Sequence, residues 1–215
     1  MQFSEMQTEV FRRLNESSSD PAYWTVDDVK AAINDGYESI SDAAEWFTSW
    51  VFWEPDEETT YFDLELLPEY SFIRVSSIYN NLTSRWLVPS SIRELDNSMR
   101  PRWENVTGPP ERYFFRSPYK IGIYPKTAED TLPAASTLTL YFTCLPDRLE
   151  QDGDTPKFLQ ELHFGLIEYA LYDLLVQDGE TELALDHWNK YLEYEDALTK
   201  LVQLRTRDRV GGLRE

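Results

Sequence analysis

The stretch TVDDVKAAINDGYESISDAAEWFT, residues 25–48, contains the strongest helix pattern in the first half of the chain. Thr25 is a candidate N-cap, with Asp28 three residues later to complete a capping box, and Asp27 and Asp28 lie where the helix dipole favours negative charge. Apolar side chains then recur at intervals of three and four residues, at Val26, Val29, Ile33, Tyr37, Ile40, Ala44 and Phe47. This pattern predicts an amphipathic helix over residues 26–48.

A second helical region follows Asp152 in the last third of the chain. Thr155 is predicted to be its N-cap and Pro156 its first residue, where a missing N–H removes no helical hydrogen bond. Gly179 is predicted to end this helix and Thr181 to cap the last one. Because only about four residues separate the two helices, they are expected to form an antiparallel hairpin. A short first helix is predicted from apolar residues at helical spacing, Phe3, Met6, Val10 (or Phe11) and Leu14.

The sequence between the two helical regions has the alternating, β-branched and aromatic composition of strands. Strands are predicted over residues 61–66, 72–79, 112–116, 119–124 and 137–144. Residues 89–96 are predicted to form a short helix among them. The whole segment is expected to be an antiparallel insert of four to six strands.

These patterns predict an α+β protein in which a helical bundle, built from both termini, has an inserted antiparallel β domain. A hydrophobic content of 41% in 215 residues is sufficient for such a core without cross-links. The predicted division is 1–55 for the N-terminal part of the bundle, 56–150 for the insert, 151–204 for the C-terminal helix hairpin and 205–215 for a basic flexible tail.

Charge is sorted along the chain, which has a formal net charge of −19. Residues 27–65 contain twelve acids against Lys30 alone, and residues 147–196 contain fourteen acids against three bases. Residues 197–215, in contrast, contain five bases and two acids. This balance argues against a general nucleic-acid binder, because binding to a polyanion requires clustered Lys and Arg. The acidic blocks are either solvated helix faces or surfaces that line a passage or meet a basic partner.

The chain shows no pattern typical of catalytic, metal-binding or cofactor-binding sites, so we predict neither an enzyme nor a cofactor. His163 and His187 are the only histidines, which are too few for a multi-histidine metal centre, and His163 is expected to be a hydrogen-bonded helix residue. Asp152-Gly153-Asp154 is expected to form a capped turn rather than a calcium loop. Glu168 and Glu195 are the closest candidates for a catalytic carboxylate. Glu195, however, is expected to face a subunit seam or an arginine.

Cys144, the single cysteine, lies in the predicted strand 137–144 and is interpreted as a buried thiol. The first residues are polar and acidic, unlike a signal peptide, and no stretch approaches the roughly 18 apolar residues of a membrane span. We therefore expect assembly in the cytoplasm, without a membrane partner.

Six aromatic residues crowd the first long helix and its exit, namely Tyr23, Trp24, Trp46, Trp50, Phe52 and Trp53. A single helical stripe cannot bury all of them. Packing against the β insert is expected for most, and a subunit interface for the surplus, because Trp and Tyr are favoured at interfaces. Stacking on a sugar is an alternative.

Three sets of residues also share their pattern with one protein family. The first set is Trp24-Thr25, Asp28-Val29, Ile33-Asn34, Gly36 and Tyr37. The second set is Leu149, Asp152, Asp154, Pro156, His163, Leu166, Tyr169-Ala170 and Leu171. The third set lies between them and is Trp103, Gly108-Pro109-Pro110, Tyr113 and Ile123-Tyr124-Pro125. These sets resemble, in order, the opening helix, the closing helix and the turn-and-strand signature of tailed-phage head-to-tail adaptor (connector) proteins.

The resemblance implies a structural protein of the virion neck, assembled in the host cytoplasm, with no catalytic activity. It implies a dodecameric ring between the portal protein and a tail or nozzle protein, with DNA passing through the lumen without specific binding. The C-terminal segment of the family commonly docks on the portal, so position and charge together give a portal-binding role to Arg205, Arg207, Arg209 and Arg214. We expect the acids that face the lumen to come from Asp27, Asp28, Asp35, Glu38, Asp173, Asp178, Glu180 and Glu182.

Two other functions stay open at this point. A carbohydrate- or receptor-binding module would use the aromatic residues of the β insert and would expose their rings in a groove. A hydrolase would need two carboxylates that face each other across a cleft, about 5 to 10 Å apart.

Overall fold

Five α-helices and eight strands occupy the part of the chain that the computed structural model describes, which comprises residues 1–17, 19, 23–55, 61–67, 72–98, 103–127 and 138–211. The side chains of residue 66 and of residues 205–211 are outside this description. The helices are α1 (Phe3–Arg13), α2 (Val26–Ala44), α3 (Ile92–Ser98), α4 (His163–Asp178) and α5 (Thr181–Gly211). The strands are β1 (Thr48–Trp53), β2 (Tyr61–Asp63), β3 (Phe72–Asn80), β4 (Arg85–Trp86), β5 (Val88–Ser90), β6 (Arg112–Ser117), β7 (Lys120–Tyr124) and β8 (Leu138–Cys144).

The chain divides into a helical unit, Met1–Phe47 with Leu145–Glu215, and a β unit, Thr48–Cys144. This arrangement is the predicted α+β architecture, a bundle built from both ends of the chain with an insert rich in strands. The unit boundaries after Phe47 and after Cys144 lie eight and six residues before residues 55 and 150, where the sequence patterns put them. Residues 48–53 belong to the β unit because they form β1, which pairs with β8 from Thr48↔Thr143 to Trp53↔Leu138.

The beginning of α2 is the predicted capping box. The Thr25 hydroxyl accepts a hydrogen bond from the Asp28 N–H (3.2 Å), and the Asp28 carboxylate accepts one from the Thr25 N–H (2.9 Å). The helix ends four residues earlier than predicted, at Ala44. Glu45 takes a left-handed conformation (φ 51°), which turns the chain out of the helix and toward β1.

The beginning of α4 differs from the prediction. Thr155 and Pro156 do not start a helix; they lie in an irregular segment, and α4 begins at His163 after a short 3-10 turn. This segment is held by tertiary hydrogen bonds instead of helical ones. The carbonyls of Asp152 and Asp154 accept from the first N–H groups of α1, and the Lys157 N–H donates to the Tyr37 hydroxyl.

The α4–α5 hairpin forms as predicted, and Gly179 ends α4 with a left-handed conformation (φ 86°). Thr181 is the first residue of α5 rather than its cap, and its hydroxyl donates to the Gly179 carbonyl (3.3 Å). The backbone of α5 continues as helix to Gly211, into the segment 205–215 that was predicted to be a flexible tail.

The helical unit is held by one apolar core and by two close helix contacts. Phe3, Ile33, Leu166 and Leu198 bring side chains from α1, α2, α4 and α5 into this core. A Cβ atom at Gly36 would lie 2.9 Å from Cβ of Tyr169, so α2 and α4 approach closely there because position 36 has no side chain. Gly165 has the same function between α4 and α5, where a Cβ atom would lie 2.8 Å from Cβ of Tyr194.

The β unit consists of two sheets that share a core. In the first sheet the strand order is β1-β8-β3-β4, with all pairs antiparallel. In the second it is β2-β7-β6-β5, and the β5–β6 pair is parallel, so the insert is not purely antiparallel. Buried side chains of both sheets fill the space between them, including Trp53, Ile78, Leu140, Tyr113 and Ile121.

All five predicted strand segments contain strands, although β2 covers only the first half of residues 61–66. The predicted short helix is α3, shifted toward the C-terminus. Three strands were not predicted, β1, β4 and β5, and two of these have only two or three residues. Cys144 ends β8 and is half-buried, where a fully buried thiol was expected.

Candidate assembly surfaces

Four of the predicted lumen acids are exposed at one end of the helical bundle. Asp27 lies in the first turn of α2, Asp178 ends α4, and Glu180 and Glu182 lie at the start of α5. None of the four forms an ion pair within the described part of the chain. We call these residues the acidic end.

The antiparallel packing of α2 against α4 brings the members of the acidic end to the same side of the bundle. Gly36 lies against Tyr169, whereas the indole N–H of Trp46, ten residues later, donates to the Lys157 carbonyl, twelve residues before Tyr169. Numbering therefore rises along α2 as it falls along the segment that contains α4. The first turn of α2 and the last turn of α4 consequently lie at the same end.

Two other predicted lumen acids, Asp35 and Glu38, are paired with one arginine. Nε of Arg148 donates to Glu38 (2.7 Å), and its Nη2 donates to Asp35 (2.9 Å). All three side chains are at least a quarter exposed, so the pairs are screened by solvent and stabilise the fold only slightly. The single positive charge of Arg148 nevertheless compensates half of the negative charge of Asp35 and Glu38.

The remaining two acids, Asp28 and Asp173, are engaged locally. Asp28 forms the capping box, and hydrogen bonds from the Thr25 hydroxyl and N–H hold the pKa of its carboxyl below the ordinary value. Asp173 is half-buried on α4 and accepts from the Gln177 side chain (2.9 Å). Burial raises the pKa of Asp173 despite that hydrogen bond, and repulsion from Asp35 raises it further.

The four predicted portal-binding arginines are only partly within the described structure. The backbone at Arg205, Arg207 and Arg209 belongs to the last turns of α5, while their side chains lie outside the description. Arg214 lies outside the described residues altogether.

Among the described residues of the helical unit, Glu168 on α4 is the most buried charged group, with 5% of its surface exposed. One carboxylate oxygen accepts from the Arg13 guanidinium of α1, and the other lies 2.7 Å from Nδ1 of His187 on α5. Burial alone would raise the pKa of Glu168, but the hydrogen bonds from His187 and Arg13 outweigh it and the pKa lies below the ordinary value. This carboxylate therefore connects three helices.

The sequence singled out Glu168 as a candidate catalytic acid, but the structure gives it a different use. A general acid needs a raised pKa and a proton to donate, whereas Glu168 is a carboxylate with a lowered pKa and both oxygens engaged. Sequence spacing could not have identified its partners, since Arg13 is 155 residues away. Glu195, the other candidate, is half-buried on α5 near the Tyr191 hydroxyl, and its expected arginine or subunit contact stays a prediction.

His163 is the hydrogen-bonded histidine that was expected. It is 3% exposed, with Nδ1 3.2 Å from the Met1 nitrogen and Nε2 3.2 Å from the Phe158 carbonyl oxygen. Burial lowers the pKa of His163, which favours the neutral ring. Asp154 forms the expected capped turn, since its carboxylate accepts from the N–H groups of Glu150 and Gln151 at 2.8 Å. Among the described residues, no cluster of His, Cys, Asp or Glu has the arrangement of a metal site.

The six crowded aromatic residues divide between core and surface. Trp53 is buried in the core of the β unit. Trp24 and Trp46 pack against the core of the bundle, and the Trp46 indole N–H donates to the Lys157 carbonyl (2.9 Å). The other three, Tyr23, Trp50 and Phe52, are more than half exposed.

The two helical motifs that carried the family resemblance pack directly on each other. The Asn34 side chain on α2 forms hydrogen bonds with both backbone groups of Leu149, and Gly36 receives the Tyr169 side chain. Residues that are more than a hundred positions apart thus form one structural element. The residues that carry the family resemblance therefore form a packing contact within the bundle, not a catalytic site.

No helix in the described part of the chain combines the length and the apolar composition that a membrane crossing requires. The search of curated proteins found no match to the chain. The family described as SU10 adaptor protein matches residues 1–214, nearly the whole sequence. The chain therefore belongs to the SU10 adaptor protein family, a family of phage head-to-tail adaptors.

Proposed function

We propose that this adaptor forms a ring of like subunits, twelve in number, beneath the portal, and that acids of the helical unit line the channel for DNA. Family membership supplies the coarser role of a structural component of the virion neck that contacts head and tail components. The ring, the lumen and the portal contact are the parts that we propose here.

The acidic end is the observation that carries the lumen proposal. Its four carboxylates are exposed and lack cationic partners among the described residues. The helical unit as a whole contains 26 acids and 11 bases. A wall of this charge repels phosphate, so DNA would pass without binding. Asp35 and Glu38, which Arg148 partly neutralises, suit this role less well.

Charge reversal at the acidic end tests the lumen proposal. We expect phage carrying Asp178→Lys, Glu180→Lys and Glu182→Lys to assemble necks normally but to eject DNA about tenfold more slowly, because each lysine adds a phosphate contact. The measurement is the rate of DNA release from purified virions. Exposed positions tolerate such changes with little loss of fold stability.

The matched control reverses three exposed acids of the β unit, Glu65, Glu104 and Glu111. It changes the net charge by the same amount outside the proposed channel, so the release rate should stay at the wild-type value. Equal slowing in both variants, or in neither, would refute an acidic lumen at this end of the bundle.

For the portal contact we propose the arginines of the C-terminal segment, Arg205, Arg207, Arg209 and Arg214. Replacing all four by Ser should weaken binding to purified portal protein about thirtyfold, if each exposed ion pair contributes about 0.5 kcal/mol. The loss should shrink at high salt, which screens exposed charges. Biolayer interferometry at two salt concentrations provides the measurement.

The control for this prediction replaces four exposed bases elsewhere by Ser, namely Arg93, Lys120, Lys157 and Lys190. Portal affinity should be retained in that variant. Equal affinity of both variants for the portal would contradict a specific role of the C-terminal segment.

A further inference from the structure

One side of the first β sheet has a continuous row of aromatic side chains. The row comprises Trp50 and Phe52 of β1, Tyr141 of β8, Tyr79 of β3 and Trp86 of β4. Trp50 is directly opposite Tyr141, and Tyr79 is directly opposite Trp86, which puts the members of each pair on the same side of the sheet. We call this surface the aromatic face.

The rings of the aromatic face contact one another. Centroid distances are 4.8 Å from Trp50 to Phe52, 5.0 Å from Tyr79 to Trp86 and 5.5 Å from Trp86 to Tyr141. The opposite side of the same strands has Trp53, Ile78 and Leu140, which are buried in the core of the β unit. Strand alternation therefore makes the sheet apolar on both sides.

The aromatic face is open to solvent in this chain. Trp50, Phe52 and Trp86 are 53%, 58% and 52% exposed. A contiguous apolar patch of this kind on a folded protein indicates a surface that another molecule covers. Exposed Trp and Tyr are also the residue types enriched at the centre of protein interfaces.

The polar groups of this surface favour a protein over a sugar. Sugar recognition needs hydrogen-bonding groups next to the rings that are available to orient the ligand. The buried hydroxyls of the central strand already have partners, since Thr143 pairs with Ser76 (3.2 Å) and Thr139 with Asn81 (3.0 Å). The rings are also tilted by 54° to 65° to one another and so do not form a flat platform.

Charge identifies the occupant that fits best. The four strands of the first sheet contain no Asp or Glu and two arginines, Arg74 and Arg85, in a chain with 39 acids and a net charge of −19. Two acidic helical units would repel each other, so self-association favours a contact that puts this acid-free sheet against an acidic unit.

The outer side of α5 has the complementary properties. Leu185 and Leu192 are 55% and 38% exposed, and their spacing of seven residues puts them on one side of the helix. The exposed acids Asp186 and Glu193 lie beside them along the helix. This side of α5 offers apolar contact for the aromatic rings and negative charge for a sheet that contains no acids.

We propose that the aromatic face of one chain receives the outer side of α5 of a second copy. This proposal rests on the proposed ring of like subunits and assigns its subunit contact. The two contacting surfaces differ, so the contact is heterologous, and repetition of it from chain to chain closes into a ring when the rotation permits.

The first test removes two rings of the aromatic face. We expect Trp50→Ser with Trp86→Ser to reduce self-association of the full chain at least tenfold, measured by mass photometry with and without the portal protein. Tyr119→Ser is the matched control, since Tyr119 is 54% exposed at the β6–β7 turn, away from the aromatic face. Circular dichroism and thermal melting of all variants verify that the fold is retained.

The second test identifies the contact. A photo-crosslinking phenylalanine analogue at position 52 should join to residues 181–204 of an isotope-labelled second copy, which mass spectrometry distinguishes from the chain that carries the analogue. Crosslinks to the portal protein alone, or only within one chain, would overturn the proposal. So would glycan binding that the Trp50 and Trp86 substitutions abolish while the oligomer persists.

The outcomes separate this inference from the proposed function. If the wild-type chain forms rings and the double variant forms them equally well, the proposed function stands and the assigned contact is wrong. If the wild-type chain fails to self-associate both alone and with the portal, the ring and the contact are both wrong.

Discussion

Asn34→Ala should lower the free energy of unfolding of the helical unit by about 3 kcal/mol. The Asn34 side chain donates to the carbonyls of Leu149 (3.0 Å) and Lys30 (3.1 Å), and its oxygen accepts from the Leu149 N–H (2.7 Å). Asn34 and Leu149 are both more than nine-tenths buried. Alanine therefore leaves two buried backbone groups of Leu149 unpaired, each with a penalty of about 1 to 3 kcal/mol.

Urea denaturation followed by circular dichroism measures this loss. Asn189→Ala is the control, because Asn189 is exposed on α5 and its replacement should change the unfolding free energy by less than about 0.5 kcal/mol. An Asn34 variant as stable as the control would mean that the hydrogen bonds to Leu149 do not hold the returning chain against α2.

Asn34→Asp gives a sharper version of the same test. An ionised Asp keeps an acceptor for the Leu149 N–H but directs its second oxygen at the Leu149 and Lys30 carbonyl oxygens. Because these oxygens repel one another, the substitution should destabilise the helical unit at pH 7. Protonation restores a donor, so part of the stability should return as the pH falls toward 5. The Ala variant should show no such recovery.

Glu168→Ala should also destabilise the bundle, by about 3 kcal/mol, because it leaves the arginine and the histidine of its cluster without their shared acceptor. This loss of about 3 kcal/mol is at the low end of the range for breaking a buried ion pair, because the side chains of Arg13 and His187 are 26% and 19% exposed. Glu150→Ala, at an exposed position of the helical unit outside the proposed contacts, is the control and should have little effect. Denaturant unfolding at pH 7 compares the two variants.

The pH dependence of the stability difference between wild type and Glu168→Ala tests whether the charge of Glu168 is the cause of the loss. The pKa of Glu168 is lowered in the folded protein, so its stabilising effect is complete above the unfolded-state pKa of about 4.3 and is lost as the pH falls through the folded-state pKa. The stability difference between wild type and Glu168→Ala should therefore shrink below about pH 4. A difference that stays constant to pH 3 would show that the carboxylate charge is not the origin of the effect.

Local patterns were sufficient for the elements that neighbouring residues or residue types alone specify. The Thr25–Asp28 capping box lies within one helical turn, and Gly179 ends α4 through its own backbone conformation. The β-branched and aromatic runs became β3, β6, β7 and β8, because these residue types are typical of strands. The adaptor family was recognisable for the same reason, since its motifs consist of such short segments.

Predictions from local pattern failed where distant residues compete for the backbone. Pro156 is an acceptable first helix residue, yet its segment is held by α1 and by Tyr37, and α4 starts seven residues later. Residues 48–53 include three aromatic side chains just after α2, and pairing with β8 makes them a strand. For the candidate site, the sequence identified the acids but not which of them are paired with a base. Arg148 lies more than a hundred positions from the two acids that it neutralises.

The sequence by itself determined the α+β class, the bundle built from both ends and the separation of charge, because these depend on residue types and on periods within one element. Only the tertiary structure decided which carboxylates are paired, which tryptophans are buried and that the acid-free sheet has an uncovered aromatic side. The reason is physical. Burial and charge pairing depend on side chains that the fold brings together from distant positions, and no local pattern contains those distances.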